Sequence, residues 1–314
     1  MWQVFQQISP YAIAFAIPLL ITAIGGLYSE RSGVVNIGLE GLMVMGSFAA
    51  AITVAVLQPV MHSQALWIGL VVAIVAGALF SLLHAFASIS LHADQVISGT
   101  AINMIAGAIT VFIARNVTGS GNIQINPFAR FDIPVLSDLP VVGKLLFSNT
   151  YATTWLTLLL LAIAYFVLYK TVFGLRLRAC GEHPQAVASA GVNVQFIRYL
   201  AVSISGACAG LGGAIILTTY SGEFNGTVFG LGFLALAALI FGQWKPLGIL
   251  GATFFFGYAS TIATSAQAIP ALSHIPGVAL KTFPYIVTLL VLVIFSKTSQ
   301  APRASGQPFE QGKR

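Results

Sequence analysis

The residue types that most often carry covalent chemistry are few in this chain and widely spaced. No histidine or cysteine pair has the spacing of a metal site. No glycine-rich turn precedes Lys-Ser or Lys-Thr, as a phosphate-binding Walker A loop requires, and no Gly-x-Ser-x-Gly is present. The sequence therefore predicts no catalytic residue, no metal site and no cofactor bound by this chain. If ATP drives this protein, another chain must bind the ATP. The isolated residues are His62, His84, His92, His183, His274, Cys180 and Cys208.

Four polar residues stand out within or beside apolar stretches: Asn36, Glu40, Asn103 and Glu223. Asn36 and Glu40 are four residues apart, which predicts that they share one face of a helix. An acid at the centre of a membrane costs roughly 2.5–3.5 kcal/mol, so it usually faces protein or a water path. Two interpretations stay open for the first three residues: they line a translocation path, or they hydrogen-bond to other helices. Glu223 either meets a partner protein or is a solvated loop acid.

The composition predicts a membrane environment. The 314 residues are 57% hydrophobic and 7% charged, with a mean hydropathy of +0.91. Soluble proteins carry about 25% charged residues, so most of this surface must face lipid. At roughly 20 residues per span, there is room for on the order of nine spans. We therefore predict an all-α, polytopic protein with one membrane domain, residues 1–297. Basic connections explain the net charge of +6, so no nucleic-acid partner is expected.

Nine apolar segments supply the predicted spans. The seventh is short and glycine-rich, so it is either a thin span or a broken, re-entrant one. It and the Asn36–Glu40 stretch form a candidate internal repeat. The segments are Pro10–Tyr28, Val34–Leu57, Ala65–Leu91, Val96–Ala114, Ala152–Tyr169, Tyr199–Tyr220, Val228–Gly242, Pro246–Ala268 and Thr282–Phe295.

Basic residues concentrate in the inner connections when the N-terminus is placed outside the cell membrane. The positive-inside rule then predicts a cytoplasmic C-terminus. Cys180 falls in the cytoplasm and Cys208 in a span, so no disulfide is expected. The outer loop 115–150 is predicted to be an ordered cap. The tail 298–314 is polar, rich in proline and glycine, and predicted to be disordered in the cytoplasm.

The cytoplasmic loop 170–198 contains the stretch FGLRLRACGEHPQAVASAGVNV at 173–194. Pro184 suits the first turn of a short helix over Gln185–Ala190, and Gly191 suits its left-handed cap. The helix is rich in alanine and has few charges, so its surface is small and smooth. Such a surface can lie in the groove of a partner protein. The alternative is a surface helix at the lipid headgroups.

This stretch resembles the coupling loop of permease subunits in ABC importers of the simple-sugar, nucleoside and branched-chain amino-acid group. ERSGVVNIGLEGLM at 30–43, DQVISGTAINMIAGAIT at 94–110 and GFLALAALIFGQWKPLGILGA at 232–252 extend the resemblance over nearly the whole chain. They are most similar to the nucleoside-type branch. His183 departs from the pattern, which often has Asn there.

The resemblance implies a set of partners and roles. A separate subunit would bind ATP and Mg²⁺ and engage the coupling loop, a second and related permease chain would complete the path, and an extracellular binding lipoprotein would deliver substrate. The substrate would be small and neutral, with nucleosides first and simple sugars or branched-chain amino acids as alternatives. Asn36, Glu40 and Asn103 are the path candidates, and Glu223 is the candidate contact for the binding protein. The coupling candidates are Gly174, Arg176, Arg178, Ala179, Gly181, Glu182, Pro184, Ala186, Ala188 and Gly191.

Two other classes fit the residues less well. An ion-coupled secondary transporter needs several intramembrane carboxylates or unwound sodium sites. Among the eight acids, only Glu40 is predicted to lie within a span. A membrane-embedded enzyme needs His, Asp or Cys clustered at one depth, which the sequence does not suggest.

Overall fold

The computed structural model describes residues 2–140, 143–265, 277–295 and 300–309. The described chain is mainly helical, with eleven α-helices. They are α1 (Trp2–Arg31), α2 (Leu39–Met61), α3 (Gln64–Ala85), α4 (Gln95–Thr118), α5 (Ala152–Lys170), α6 (Val172–Glu182), α7 (Pro184–Ser189), α8 (Val194–Ile216), α9 (Leu231–Phe241), α10 (Pro246–Ser265) and α11 (Gly277–Phe295). Single π-helical turns lie at Phe86–Ser90, Gly143–Phe147 and Leu217–Ser221. Two short strands, β1 (Ile123–Gln124) and β2 (Glu223–Phe224), pair antiparallel.

Seven helices within the described residues are long and apolar enough to cross a membrane: α1 to α5, α8 and α10. This confirms a helical chain with several candidate spans. The seventh predicted segment appears as α9, which has only 11 residues. At 1.5 Å per residue it is about 16 Å long, roughly half the hydrocarbon thickness of a bilayer.

The centre of the bundle is formed by α1 and α8. The share of the apolar stretch that is buried is 94% in α1 and 72% in α8, but only 22% in α4. α8 packs on α1, α2 and α3, and α1 also packs on α10. A helix that is apolar all round and buried belongs to the core of a large bundle, as α1 and α8 do. α4 is mostly exposed and therefore lies at the periphery.

Glycines allow α2, α3 and α8 to approach closely. A Cβ added at Gly46 on α2 would lie 2.2 Å from the carbonyl oxygen of Gly210 on α8. One added at Gly77 on α3 would lie 2.2 Å from the carbonyl oxygen of Gly206. No side chain fits at such distances. Small residues at membrane helix contacts bring the backbones together and increase packing.

This packing predicts a large effect for a substitution at Gly210. Gly210→Val should lower stability by about 1–3 kcal/mol, the usual range for overpacking, because its Cβ would lie 2.3 Å from the carbonyl oxygen of Ala73. Gly107→Val on α4 is the matched control, since no atom lies within 4 Å of its added Cβ. Heating in detergent followed by size-exclusion chromatography would measure the difference. Equal stability of the two variants would contradict the packing argument.

The bundle has two different ends. One end contains α6 and α7 and is called the α6–α7 end. There Arg31 Nη2 donates to the Trp244 carbonyl oxygen at 2.7 Å. At the other, called the ribbon end, β1 and β2 pair, and the loop before α5 folds back on the π-helical turn Leu217–Ser221 that follows α8. There the Phe128 amide donates to the Thr218 carbonyl oxygen at 2.8 Å. The described residues of the outer loop therefore contact the helices rather than extending away from them.

The C-terminal tail differs from its sequence prediction. Residues 300–309 are not a free, disordered segment, because Pro302, Ala304 and Phe309 are buried against the α6–α7 end. The backbone of this segment also finds hydrogen-bond partners there. Composition alone suggested disorder, since it does not reveal a surface on which a polar segment can pack. Residues 298–299 and 310–314 lie outside the described residues.

Candidate functional site

Residues 32–38, called the break, separate α1 from α2 without helical structure. The prediction that Asn36 and Glu40 share a helical face is wrong, because Asn36 lies in the break and Glu40 in the first turn of α2. Gly33 adopts a φ of +94°, which suits a turn after the end of α1. The Asn36 Oδ1 accepts a hydrogen bond from the Gly38 amide at 3.1 Å, a local contact that competes with helix formation.

Side chains from other helices satisfy the backbone of the break. Gln95 Oε1 accepts from the Val35 amide at 2.7 Å, and His84 Nε2 lies 3.0 Å from the Val35 carbonyl oxygen. Arg198 Nε donates to the Ser32 carbonyl oxygen at 3.1 Å. Irregular backbone at membrane depth survives only when protein or water provides such partners. Sequence reasoning assigned no role in the site to these three residues, although each is a lone polar group in or beside an apolar stretch.

Asn103 and Asn36 fix the same region. Asn103 on α4 accepts from the Gly41 amide at 2.7 Å through Oδ1 and donates to the Ile37 carbonyl oxygen at 3.1 Å through Nδ2. Asn36 Nδ2 donates to Ser205 Oγ on α8 at 2.9 Å. Asn103 thereby satisfies an amide in the first turn of α2, which has no acceptor within its own helix. The side-chain amides of Asn36 and Asn103 both join the break to neighbouring helices.

Glu40 connects two helix N-termini. Its Oε1 accepts from the Gly230 amide at 2.9 Å and its Oε2 accepts from the Gly232 amide at 2.7 Å, at the start of α9. Glu40 itself lies in the first turn of α2. Helix N-termini carry partial positive charge and free amides, which favour a carboxylate. A Cβ at Gly232 would lie 2.4 Å from the Glu40 Cα, so glycine is required for this contact.

The two segments of the candidate internal repeat therefore meet at Glu40. α2 follows the break, and α9 follows the non-helical residues 225–230. Gly33 and Gly226, with φ values of +94° and +83°, precede the two helix starts. The carboxylate of Glu40 thus joins the first turn of the long helix α2 to the start of the short helix α9.

A second buried carboxylate lies near the other end of α9. Glu30, in the last turn of α1, is 6% exposed and accepts a hydrogen bond from Trp244 Nε1. The expectation that Glu40 is the only acid within a span is therefore wrong. Glu30 was missed because it lies at the edge of the apolar stretch, and its buried partner is distant in sequence.

The coupling stretch folds as two helices, α6 and α7. α7 spans Pro184–Ser189 with Pro184 in its first turn, and Gly191 has a φ of +79°. The short helix and its left-handed cap are thus present, with bounds shifted by one residue. Thr171 Oγ1 accepts from the Gly174 amide at the start of α6, and Asn193 Oδ1 accepts from the Phe196 amide at the start of α8.

The predicted coupling residues divide into a buried and an accessible group. Gly174, Gly181 and Pro184 are buried. A Cβ at Gly181 would lie 2.3 Å from the Arg31 carbonyl oxygen, so Gly181 seats α6 against the end of α1. Gly181 is therefore not part of the exposed surface of α6, and its role in coupling stays a prediction. The accessible or partly buried residues are Arg176, Arg178, Ala179, Glu182, Ala186, Ala188 and Gly191.

A shallow apolar groove of about 360 Å³ runs between α6 and α7. Arg176 and Glu182 supply opposite charges to its lining. Arg178 instead lies over the Tyr169 ring, 5.1 Å from its centroid. The α6–α7 groove is lined by Leu175, Arg176, Ala179, Glu182, His183, Ala186, Val187, Ala190 and Val192.

The cysteines and histidines singled out from the sequence do not gather at one place among the described residues, and His274 lies outside those residues. Cys180 and Cys208 are both free, as predicted. Burial raises the pKa of the Cys180 thiol to about 11, so the reactive thiolate is scarce at neutral pH. Within the described ranges, no group of three or more His, Cys, Asp or Glu side chains could hold a metal ion.

Glu223 is separate from the other three polar candidates. It lies on β2 at the ribbon end, partly buried, and its Oε1 accepts from Asn122 Nδ2 at 2.7 Å. Asn36, Glu40 and Asn103 instead converge on the break and its junction with α9.

Residues 10–296 match the family described as branched-chain amino acid transport system / permease component. The chain belongs to this permease family. It is 45% identical to the guanosine ABC transporter permease protein NupQ of Bacillus subtilis, over 99% of each chain. It is 39% identical to the nucleoside ABC transporter permease protein NupC of Lactococcus lactis, over 96% of each. A second Bacillus subtilis protein, the guanosine ABC transporter permease protein NupP, is 25% identical over 96% of this chain and 82% of that protein.

A solved ABC transporter of the metal-chelate type, in an inward-facing conformation, has a similar fold. The TM-score is 0.51 at 12% identity, over 92% of this chain and 85% of that one. The resemblance predicted from the sequence is thus confirmed at the level of the family. With seven apolar helices and this family membership, the permease is a multi-pass membrane protein.

Proposed function

We propose that this permease forms the translocation path of an ABC importer for nucleosides in the plasma membrane, which is the inner membrane in a cell with two. Its identity of 45% and 39% to permeases named for guanosine and nucleosides, over nearly the full chain, carries the proposal. A neutral, polar solute requires no counter-ion along its path. This agrees with a chain in which 7% of the residues are charged.

The energy for transport comes from a separate subunit that binds ATP and Mg²⁺. α7 and the α6–α7 groove form the surface on which that subunit docks. Closing of the ATP-binding subunits moves α6 and α7, and the break and α9 shift between two arrangements with different access to substrate. Transport then needs only two conformations with different substrate exposure and no covalent step in this chain.

The proposed importer contains a second, different permease chain. Two Bacillus subtilis proteins named as guanosine ABC transporter permeases are similar to this chain, one at 45% and one at 25% identity. This chain would take the position of the first, and a more distant relative that of the second. An extracellular binding lipoprotein would dock at the ribbon end, where Glu223 is partly accessible.

The proposed topology has nine crossings with a cytoplasmic C-terminus. α11 adds one crossing to the seven long helices, and α9 with the non-helical residues before it adds another. The positive-inside rule supports a cytoplasmic α6–α7 end, which holds Arg31, Lys170, Arg176, Arg178, Arg198, Lys245 and Arg303, against Arg115, Arg130 and Lys144 elsewhere. Reporter fusions at the two termini test this topology, and termini on the same side would contradict it.

Uptake of labelled guanosine, ribose and leucine, with and without this gene, tests the function. Loss of guanosine uptake that follows ATP depletion but survives an uncoupler is the expected result. Loss of ribose or leucine uptake instead would assign another substrate class. Uptake that collapses with the proton gradient while ATP is intact would contradict the importer assignment.

A further inference from the structure

The tail residues 300–309 contact several separate elements at the α6–α7 end. The Ala304 amide donates to the Gly181 carbonyl oxygen at 2.8 Å, near the end of α6. The Gly306 amide donates to the Gly33 carbonyl oxygen in the break at 3.2 Å. This ten-residue segment therefore bridges the helix before α7 and the irregular turn that precedes α2.

Arg198 joins the tail to the break a second time. Its Nη1 donates to the Gln307 carbonyl oxygen at 3.1 Å, while its Nε donates to the Ser32 carbonyl oxygen. Arg198 is 1% exposed, and its Nη2 lacks a hydrogen-bond partner among the described residues. A buried cation needs hydrogen-bond acceptors, and the tail supplies one of the two that Arg198 has among the described residues.

Phe309 anchors the far end of the described tail. Its side chain is 6% exposed and lies near Ala188 of α7 and Val194 of α8, with which it lines one cavity. His92 Nε2 lies 3.1 Å from the Phe309 carbonyl oxygen. The tail thus passes from the end of α6, across the break, to the cavity between Ala188 of α7 and Val194 of α8.

We propose that residues 300–309 act as a strap that transmits movement of α6 and α7 to the break. This inference rests on the proposed function, in which α7 docks on the ATP-binding subunit. The strap contacts both α6 and the break through backbone hydrogen bonds. A displacement of α6 therefore moves Gly33 and Ser32 with it, and through the first turn of α2 it reaches Glu40 and α9.

The test compares three forms of the complete importer in proteoliposomes: the full chain, a chain ending at residue 309 and a chain ending at residue 299. The readouts are ATP hydrolysis and guanosine uptake, expressed as solute moved per ATP. Ending the chain at 299 is expected to lower this ratio about threefold to thirtyfold, the usual range for altered coupling. The chain ending at 309 should match the full chain.

A ratio unchanged by ending the chain at 299 would overturn the strap. If that form does not assemble with its partners, Phe309→Ser decides in the same assay: a several-fold lower ratio supports the strap, and an unchanged ratio overturns it. A fall in ATP hydrolysis and uptake by the same factor would indicate a purely structural tail, and would also overturn it. The full chain tests the proposed function separately, because it must show ATP-driven guanosine uptake whatever the shortened chains do.

Discussion

Replacement of Glu40 by alanine is expected to lower ATP-driven uptake by at least about tenfold. The carboxylate accepts hydrogen bonds from the amides of Gly230 and Gly232 at the start of α9. Each buried amide left without an acceptor costs about 1–3 kcal/mol. Together they would weaken the junction of α2 and α9 by roughly 2–6 kcal/mol, and about 1.4 kcal/mol corresponds to a factor of ten in an equilibrium.

The Glu40 experiment has a graded variant and a matched control. Glu40→Gln keeps one amide oxygen as an acceptor but places an NH₂ group near an amide donor, so an intermediate loss is expected. Asp138→Asn makes the same kind of change at an exposed acid in the outer loop and should leave uptake intact. Uptake is normalised to the amount of permease in the membrane. Normal uptake by Glu40→Ala would show that the junction is not needed for transport.

Replacement of Ala186 by arginine is expected to release the ATP-binding subunit. Ala186 is exposed on α7 and lines the α6–α7 groove. A long charged side chain there prevents close contact with a smooth partner surface. We expect co-purification of the ATP-binding subunit, and with it uptake, to fall by more than about tenfold, as at the centre of other protein interfaces. The amount of folded permease should not change, since exposed substitutions usually alter stability by less than about 0.5 kcal/mol.

Ser189→Arg provides the control for this surface. Ser189 is also exposed on α7, but it is not part of the groove lining. The variant introduces the same charge and nearly the same bulk on the same helix. Co-purification should therefore stay close to that of the unchanged chain. Equal loss in both variants would show that charge near the membrane, rather than the groove, determines docking.

The sequence by itself predicted the fold class and the family. Both depend on local properties: length and apolarity of the segments, and motifs spread over most of the chain. The short helix at Pro184–Ser189 was also predictable, because Pro184 and Gly191 act on the backbone of their own neighbourhood. The groove beside it was not, because Leu175 and Ala190 come together only when α6 and α7 fold against each other.

The polar site was predicted as a set of residues but not as an arrangement. Asn36, Glu40 and Asn103 were identified because polar groups are rare in apolar stretches. The spacing of Asn36 and Glu40 suggested one helical face, whereas distant side chains such as Gln95 and His84 stabilise a break instead. Helical periodicity describes only contacts within one helix, so it cannot reveal acceptors supplied from another.

The tertiary structure alone decided what Gly181, Glu30 and the tail contact. Gly181 lies against the Arg31 carbonyl oxygen, Glu30 pairs with Trp244, and residues 300–309 pack across the break. Each contact joins segments far apart in the chain. Whether a polar or small residue faces solvent or another backbone depends on which surface folding places beside it, and composition carries no information about that surface.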